Sequence, residues 1–315
     1  MLKTARAALR IALTLAVTFL GLLLVTFLIG RVVPIDPVLA AVGDRAPPDV
    51  YERVRVELGL NLPLWQQFLL YLKDVLQGDF GCSTAFRTTV NQRLPEALKA
   101  TGILMFWVMI VMVPVSLLIG VLAGMREGSR LDRSLSVASI ASTATPEYVS
   151  GVVFTAIFAS WLGWLNGSAA TAITKGVSFN NFTLPVMTMA IYGIGYIARM
   201  TRASMAEVMT AQYIRTARLK GLSFGGVVVK HALRNALIAP FTVIMLQFPW
   251  LLTGVVVVES IFNYKGFGWL LVQAASNNDI DLVLACGLIS VLLVLITQLI
   301  SDIGYAFLNP RIRVA

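Results

Sequence analysis

The chain has 315 residues, of which 57% are hydrophobic and 13% charged, with a net charge of +9. A soluble domain usually carries about 25% charged residues, so this composition excludes an ordinary water-soluble core and points to long apolar runs in a bilayer. The surplus of Lys and Arg implies no nucleic-acid partner: no aromatic–basic module accompanies it, and cytoplasmic loops of membrane proteins collect cations.

The first apolar run, Ile11 to Ile29, is interrupted only by Thr14, Thr18, Gly21 and Thr26. It is long enough to cross a hydrocarbon core of about 30 Å. Lys3, Arg6 and Arg10 precede it and place its start in the cytoplasm. The run is too long for a signal peptide and has no clear cleavage site before Arg31, so residues 1–33 are expected to be a retained first span. Residues 34–100 are the longest polar region, nearly balanced in charge and expected to be extracytoplasmic and helical. Within it Asp49 to Leu58 is amphipathic, with Asp49 behind Pro47-Pro48 as helix cap. Leu58-Gly59-Leu60 reads as a helix stop, and Leu62 to Leu76 as a second amphipathic helix.

Residues 101–315 read as a core of five more spans. Thr101 to Gly124 is the second, with Pro114 inside it, and the basic loop Arg126 to Arg133 follows on the cytoplasmic side. Ser134 to Leu165 holds the third, in which Pro146-Glu147 stands out. A carboxylate at membrane depth is costly and faces a cavity or a partner. Glu147 is therefore either a translocation-path residue or a hydrogen-bonded structural one, with the structural reading preferred. Gly167 to Asn181 is an outside loop; Leu184 to Met200 is the fourth span, where Gly193 and Gly195 permit close helix contact. Arg199 and Arg202 mark its cytoplasmic end. The fifth span runs from about Ala236 to Val258 and ends at Glu259, the second intramembrane carboxylate candidate. Asp279 and Asp281 are read as lying in a solvated outside loop. Leu282 to Ile300 is the sixth span, and a basic tail, Asn309 to Arg313, follows. The expected fold is thus all-α and polytopic, with six spans and both termini cytoplasmic.

Between the fourth and fifth spans, residues 207–240 form a loop unlike any other in the chain. Arg215, Arg218, Lys220, Lys230 and Arg234 are cationic, and from Ala211 to Pro240 no Asp or Glu answers them. Ala217 and Gly221 stand at i, i+4, so a helix carries both small residues on one face, where another surface can approach. Gly221 also permits a sharp turn. A second helical run, Val227 to Ala239, follows, bounded by Pro240.

At these residues the chain resembles a known family. Arg215-Thr216-Ala217-Arg218-Leu219-Lys220-Gly221 is similar to the EAA loop of ABC importer permeases in its oligopeptide and dipeptide version, and His231 to Pro240 resembles its continuation. Pro34-Ile35-Asp36-Pro37, Gly78-Asp79-Phe80-Gly81-Cys82-Ser83 and Arg93-Leu94-Pro95-Glu96-Ala97-Leu98 resemble the extracytoplasmic segment of the B-type subunit. Ile35 and Lys265 stand where the family usually has glycine and proline. The resemblance implies a coupling helix that docks on a cytoplasmic ATPase through Arg215, Thr216, Ala217, Arg218, Lys220, Gly221 and Leu222. It further implies a C-type permease as heterodimer partner, two ATPase subunits that hold ATP and Mg, and an extracytoplasmic substrate-binding protein. The expected place is the inner membrane of a prokaryote.

Enzyme chemistry finds little support. No G-x-x-x-x-G-K-[ST] occurs, so no ATP site is expected in this chain. The single histidine, His231, makes neither a metal cluster nor a triad, and no cofactor is expected. Cys82 and Cys286 show no metal or redox spacing, and a disulfide between them stays open. The competing reading is a self-sufficient secondary transporter or channel. That reading requires buried ionisable groups on broken helices, for which Glu147 and Glu259 are the candidates.

Overall fold

The computed structural model describes residues 2–32, 37–43 and 46–308; Pro34 to Asp36 of the motif noted above and the basic stretch 309–313 lie outside the described residues. In chain order the helices are α1 (Leu2–Val32), α2 (Pro37–Val42), α3 (Pro48–Glu57) and α4 (Leu64–Leu76). A two-residue ladder of β1 (Cys82–Ser83) and β2 (Thr88–Thr89) follows. Then come α5 (Val90–Gly124), α6 (Arg130–Ala144), α7 (Glu147–Phe154), α8 (Ala170–Lys175) and α9 (Phe179–Met209). The last are α10 (Gln212–Leu219), α11 (Phe224–Val227), α12 (Leu233–Ala236), α13 (Ile238–Ile261), α14 (Phe267–Ser276) and α15 (Ile280–Leu308).

Among the described residues, α5, α9 and α15 to Ile300 are long and apolar enough to cross a membrane. Residues Phe224–Ala236 with Ile238–Leu252 make a fourth candidate if their 50° bend falls within one span. The expected third span is not continuous. Thr145 and Pro146 are extended, with Pro146 at ψ 143°, and split it into α6 and α7, which runs on as a π-helix over Thr155–Trp161. Proline cannot donate to the preceding turn and pushes the residue before it out of the helical region.

One compact unit comprises residues 1–99 with 266–296. Asp49 does not cap α3: Pro47 is the N-cap residue, Pro48 opens the helix, and Asp49 sits in the first turn, where the dipole favours it. Asp279 overturns its sequence reading more sharply. It is fully buried, and its carboxylate accepts from Ser83 Oγ, from Ala85 N at 3.1 Å and from Leu282 N at 3.3 Å. It caps α15 and ties that helix to the β1–β2 hairpin. Cys82 and Cys286 are both free thiols, the first exposed and the second buried.

The other unit comprises residues 100–265 with 297–314. Leu104 and Met112 of α5, Met189 and Ile197 of α9, and Leu251 and Val255 of α13 are fully buried together. Ser178 starts α9 with a reciprocal capping box to Asn181, which fixes where this long helix begins. In lipid such helices gain from close packing, not from expulsion of water. The expected tight approach at Gly195 is present: a Cβ there would lie 2.0 Å from Ser142 Oγ and 2.5 Å from Ser139 O of α6.

Candidate functional site

The loop between α9 and α13 folds from the two faces of α10. Ile214 and Ala217 are buried, packed with Met205 of α9 and with Val227, Val228, Ala232 and Ala236. Tyr213 Oη accepts from Asn235 Nδ2 at 2.9 Å, and Ser204 Oγ donates to Ala236 O at 2.8 Å, so α9, α10 and α12 are tied together. Ala217 is therefore small so that this chain's own helices can close over it, which corrects its assignment to a docking surface.

Gly221 ends α10. Its φ is +80°, a conformation that a Cβ resists, and nothing lies within 4 Å of where that Cβ would be. Gly221 N donates to Arg218 O at 2.9 Å, and Leu222 N donates to Ala217 O at 3.4 Å. This is the paired hydrogen bonding of a Schellman turn. The glycine serves the turn, not a close contact. Gly221→Leu is expected to cost the turn about 1–2 kcal/mol and to abolish transport at wild-type expression, while Gly221→Asn, which tolerates positive φ, keeps most of it. Uptake in cells with matched protein levels checks both.

On the other face Arg215, Thr216, Arg218, Lys220, Gly221 and Leu222 are exposed. Thr216 Oγ1 is occupied by Gln212 O within α10. Sequence reasoning passed over Leu219, which is 89% exposed at the tip of α10. A helical wheel finds it, because Leu219 falls 140° away from Ile214, off the buried stripe. Leu222, three residues on, is exposed too, so apolar side chains stand among the cations here. Among the described residues no carboxylate pairs with Arg215, Arg218 or Lys220; the ion pairs belong to Arg55 and Arg202. Phe224 stands under two guanidinium groups, Arg218 at 5.7 Å and Arg126 at 5.4 Å from its ring centre. The loop before α6 thereby joins the α10 loop in one cationic surface. His231 lies half-buried in a π-helical turn, Val228–Ala232.

A second polar contact holds this region. Asp132, only 2% exposed, receives Arg202 of α9 in bidentate fashion, Nε at 2.6 Å and Nη2 at 2.8 Å. Gly128 N and Ser136 Oγ also donate to it, and Ser129 Oγ caps its backbone. The Arg202 guanidinium, with these donors, holds the Asp132 carboxyl well below the usual carboxylate range.

The two carboxylates expected at membrane depth have different surroundings. Glu259 is fully buried and accepts from Thr101 Oγ1. Its carbonyl accepts from Tyr264 N at 2.8 Å, and Tyr264 Oη donates to Ala100 O at 2.8 Å. This arrangement fastens the loop after α13. Glu147 opens α7, half-buried; among the described residues no hydrogen bond or ion pair reaches its carboxylate, so the structural role preferred for it finds no partner there.

The described helices include three long and apolar enough to cross a membrane, with an exposed basic loop between α9 and α13, as in a membrane-embedded protein. The chain belongs to the family of binding-protein-dependent transport system inner membrane components, which matches residues 116–314, and the N-terminal region of such membrane components matches residues 4–88. It is a multi-pass inner-membrane permease subunit of the ATP-binding-cassette importer class. A probable peptide ABC transporter permease protein of Sinorhizobium fredii is 39% identical over 91% of this chain and 92% of its own length. A di/tripeptide transport system permease protein of Pseudomonas aeruginosa is 34% identical over 94% and 95%. A glutathione transport system permease protein of Escherichia coli is 35% identical over 91% and 92%. Among solved structures, a chain of the inward-facing MetNI methionine ABC transporter matches 70% of this chain and 96% of its own, with a TM-score of 0.51 at 18% identity. That likeness concerns the fold alone.

Proposed function

We propose that this chain pairs with a C-type permease to form the translocation pathway of an ATP-driven importer of peptides or similar small solutes. Two cytoplasmic ATPase subunits hold ATP and Mg, and an extracytoplasmic binding protein delivers the solute. The observation that carries the reading is the exposed cationic face of α10 with the apolar Leu219 at its tip. A free apolar side chain ringed by unpaired cations suits an apolar cleft with an acidic rim on a partner. The docking residues are Arg215, Thr216, Arg218, Lys220 and Leu222, with Leu219 added and Ala217 and Gly221 acting through the fold. Cation placement supports six spans with both ends of the chain on the ATPase side. When ATP closes the ATPase pair, the α10 loops move with it and the spans rock between inward-open and outward-open states.

The substrate class follows the relatives, which are named for peptides, di- and tripeptides and glutathione. A secondary transporter loses ground because Glu259 is already engaged by Thr101. The test is co-purification of the chain with its ATPase, second permease and binding protein, followed by ATP hydrolysis with and without peptide-loaded binding protein. Peptide-stimulated hydrolysis is expected. A chain that catalyses ion-driven uptake alone, without an ATPase, overturns the reading.

A further inference from the structure

We propose that Glu147 receives the cationic amino group of the transported solute; the inference rests on the importer reading above. Three observations meet at this carboxylate. It stands at the break between α6 and α7, where Thr145 and Pro146 interrupt the helix. Interrupted helices at membrane depth are tolerated where they line a cavity or pathway. It also has a built seat: a Cβ on Gly254 of α13 would lie 2.8 Å from Oε2 and 3.3 Å from Oε1, so the carboxylate rests on a glycine. A glycine inside a helix costs stability relative to alanine, and here its missing side chain is the space the carboxylate fills. Finally, among the described residues no cation or donor reaches Glu147, although a carboxylate at membrane depth is costly without one.

The helices that flank it carry further unanswered polarity. Thr188 Oγ1 of α9, fully buried, and Gln247 Oε1 of α13, on a residue 4% exposed, have no hydrogen-bond partner. Thr188 faces α7, since a Cβ on Gly151 would lie 3.2 Å from its methyl group. Gln247 and Gly254 are seven residues apart, which puts them on one face of α13 about 10 Å along the axis. A carboxylate in no ion pair among the described residues, with an amide oxygen and a hydroxyl that lack hydrogen-bond partners, suits a ligand that is positively charged and rich in N–H donors. The amino terminus of a peptide has that chemistry.

The test uses the complete transporter in proteoliposomes, with dialanine as probe, and measures uptake and basal ATP hydrolysis for wild type, Glu147→Gln, Glu147→Asp and Gly254→Ala. Because no group among the described residues pairs with the carboxylate, Glu147→Gln should still assemble with its partner subunits. Its maximal uptake rate should fall at least tenfold, with the KM for loaded binding protein unaltered. Glu147→Asp should keep more than a third of the rate. Gly254→Ala, which displaces the carboxylate without removing it, should fall between them. Uptake by Glu147→Gln within twofold of wild type overturns the inference, as does a loss of uptake that tracks loss of the assembled complex. A wild-type complex that moves no dialanine at all overturns the peptide reading instead.

Discussion

Replacing Arg215 and Arg218 together by glutamate is expected to give a protein that inserts normally but loses its ATPase subunits on purification. Both residues are exposed on α10, and among the described residues neither has a carboxylate partner to lose. The fold therefore tolerates the reversal. A partner cleft with an acidic rim does not, since like charges opposed at a partly desolvated contact cost several kcal/mol. Exposed pairs are worth only about 0–1 kcal/mol, so a freely solvated loop predicts almost no change. The measurement is the ratio of ATPase to permease recovered in detergent at matched salt. Unchanged recovery with unchanged uptake removes the docking surface. Unchanged recovery with lost uptake moves these arginines from docking to signal transmission. Arg218→Glu alone should act through two routes, because its guanidinium also lies on the Phe224 ring.

Asp132→Ala is expected to destabilise the purified protein by roughly 2–3 kcal/mol, because one member of a buried bidentate pair is removed and Arg202, 30% exposed, recovers part of its hydration. Asp132→Asn should cost less, since an amide oxygen still accepts from Gly128. Acid tells the two carboxyl states apart. The folded-state pKa of Asp132 is lowered, so its contribution is complete above the unfolded value of about 3.9 and is lost as pH falls below it. Thermal unfolding in detergent from pH 7 down to pH 3 should show wild type losing stability at the acid end. Asp132→Asn should lose correspondingly less there.

Much of this fold was legible because its signals are local. The apolar runs of α5, α9 and α15 lie in continuous sequence. So do the cationic α10 and the glycine that ends it. What escaped depends on distant partners. Asp279 looks like any loop carboxylate until Ser83, 196 positions earlier, is brought against it. Ala217 is small in either reading; only Val227 and Ala232 folding back over it decide which surface approaches. Glu147 and Glu259 are alike as letters. Thr101 satisfies one, and among the described residues no partner reaches the other, a difference of tertiary placement that no spacing encodes. Leu219 was legible and overlooked, since an apolar residue among arginines is easily taken for part of the helix's buried side.

The two fastenings around the α10 loop differ in kind. The Arg202–Asp132 contact is a rivet: its two parallel N–H bonds define one orientation and part together. The Phe224 ring beneath Arg126 and Arg218 behaves as a greased bearing, because attraction to an aromatic face changes little as a flat cation slides or swivels over it. A torque on α10 should therefore turn against the loop before α6 without tearing free of it, while α6 and α9 rotate as one piece. The seam between sliding and locked parts then runs through Phe224, so a ring too small to bear two guanidinium groups would leave the importer assembled but with slack in its stroke.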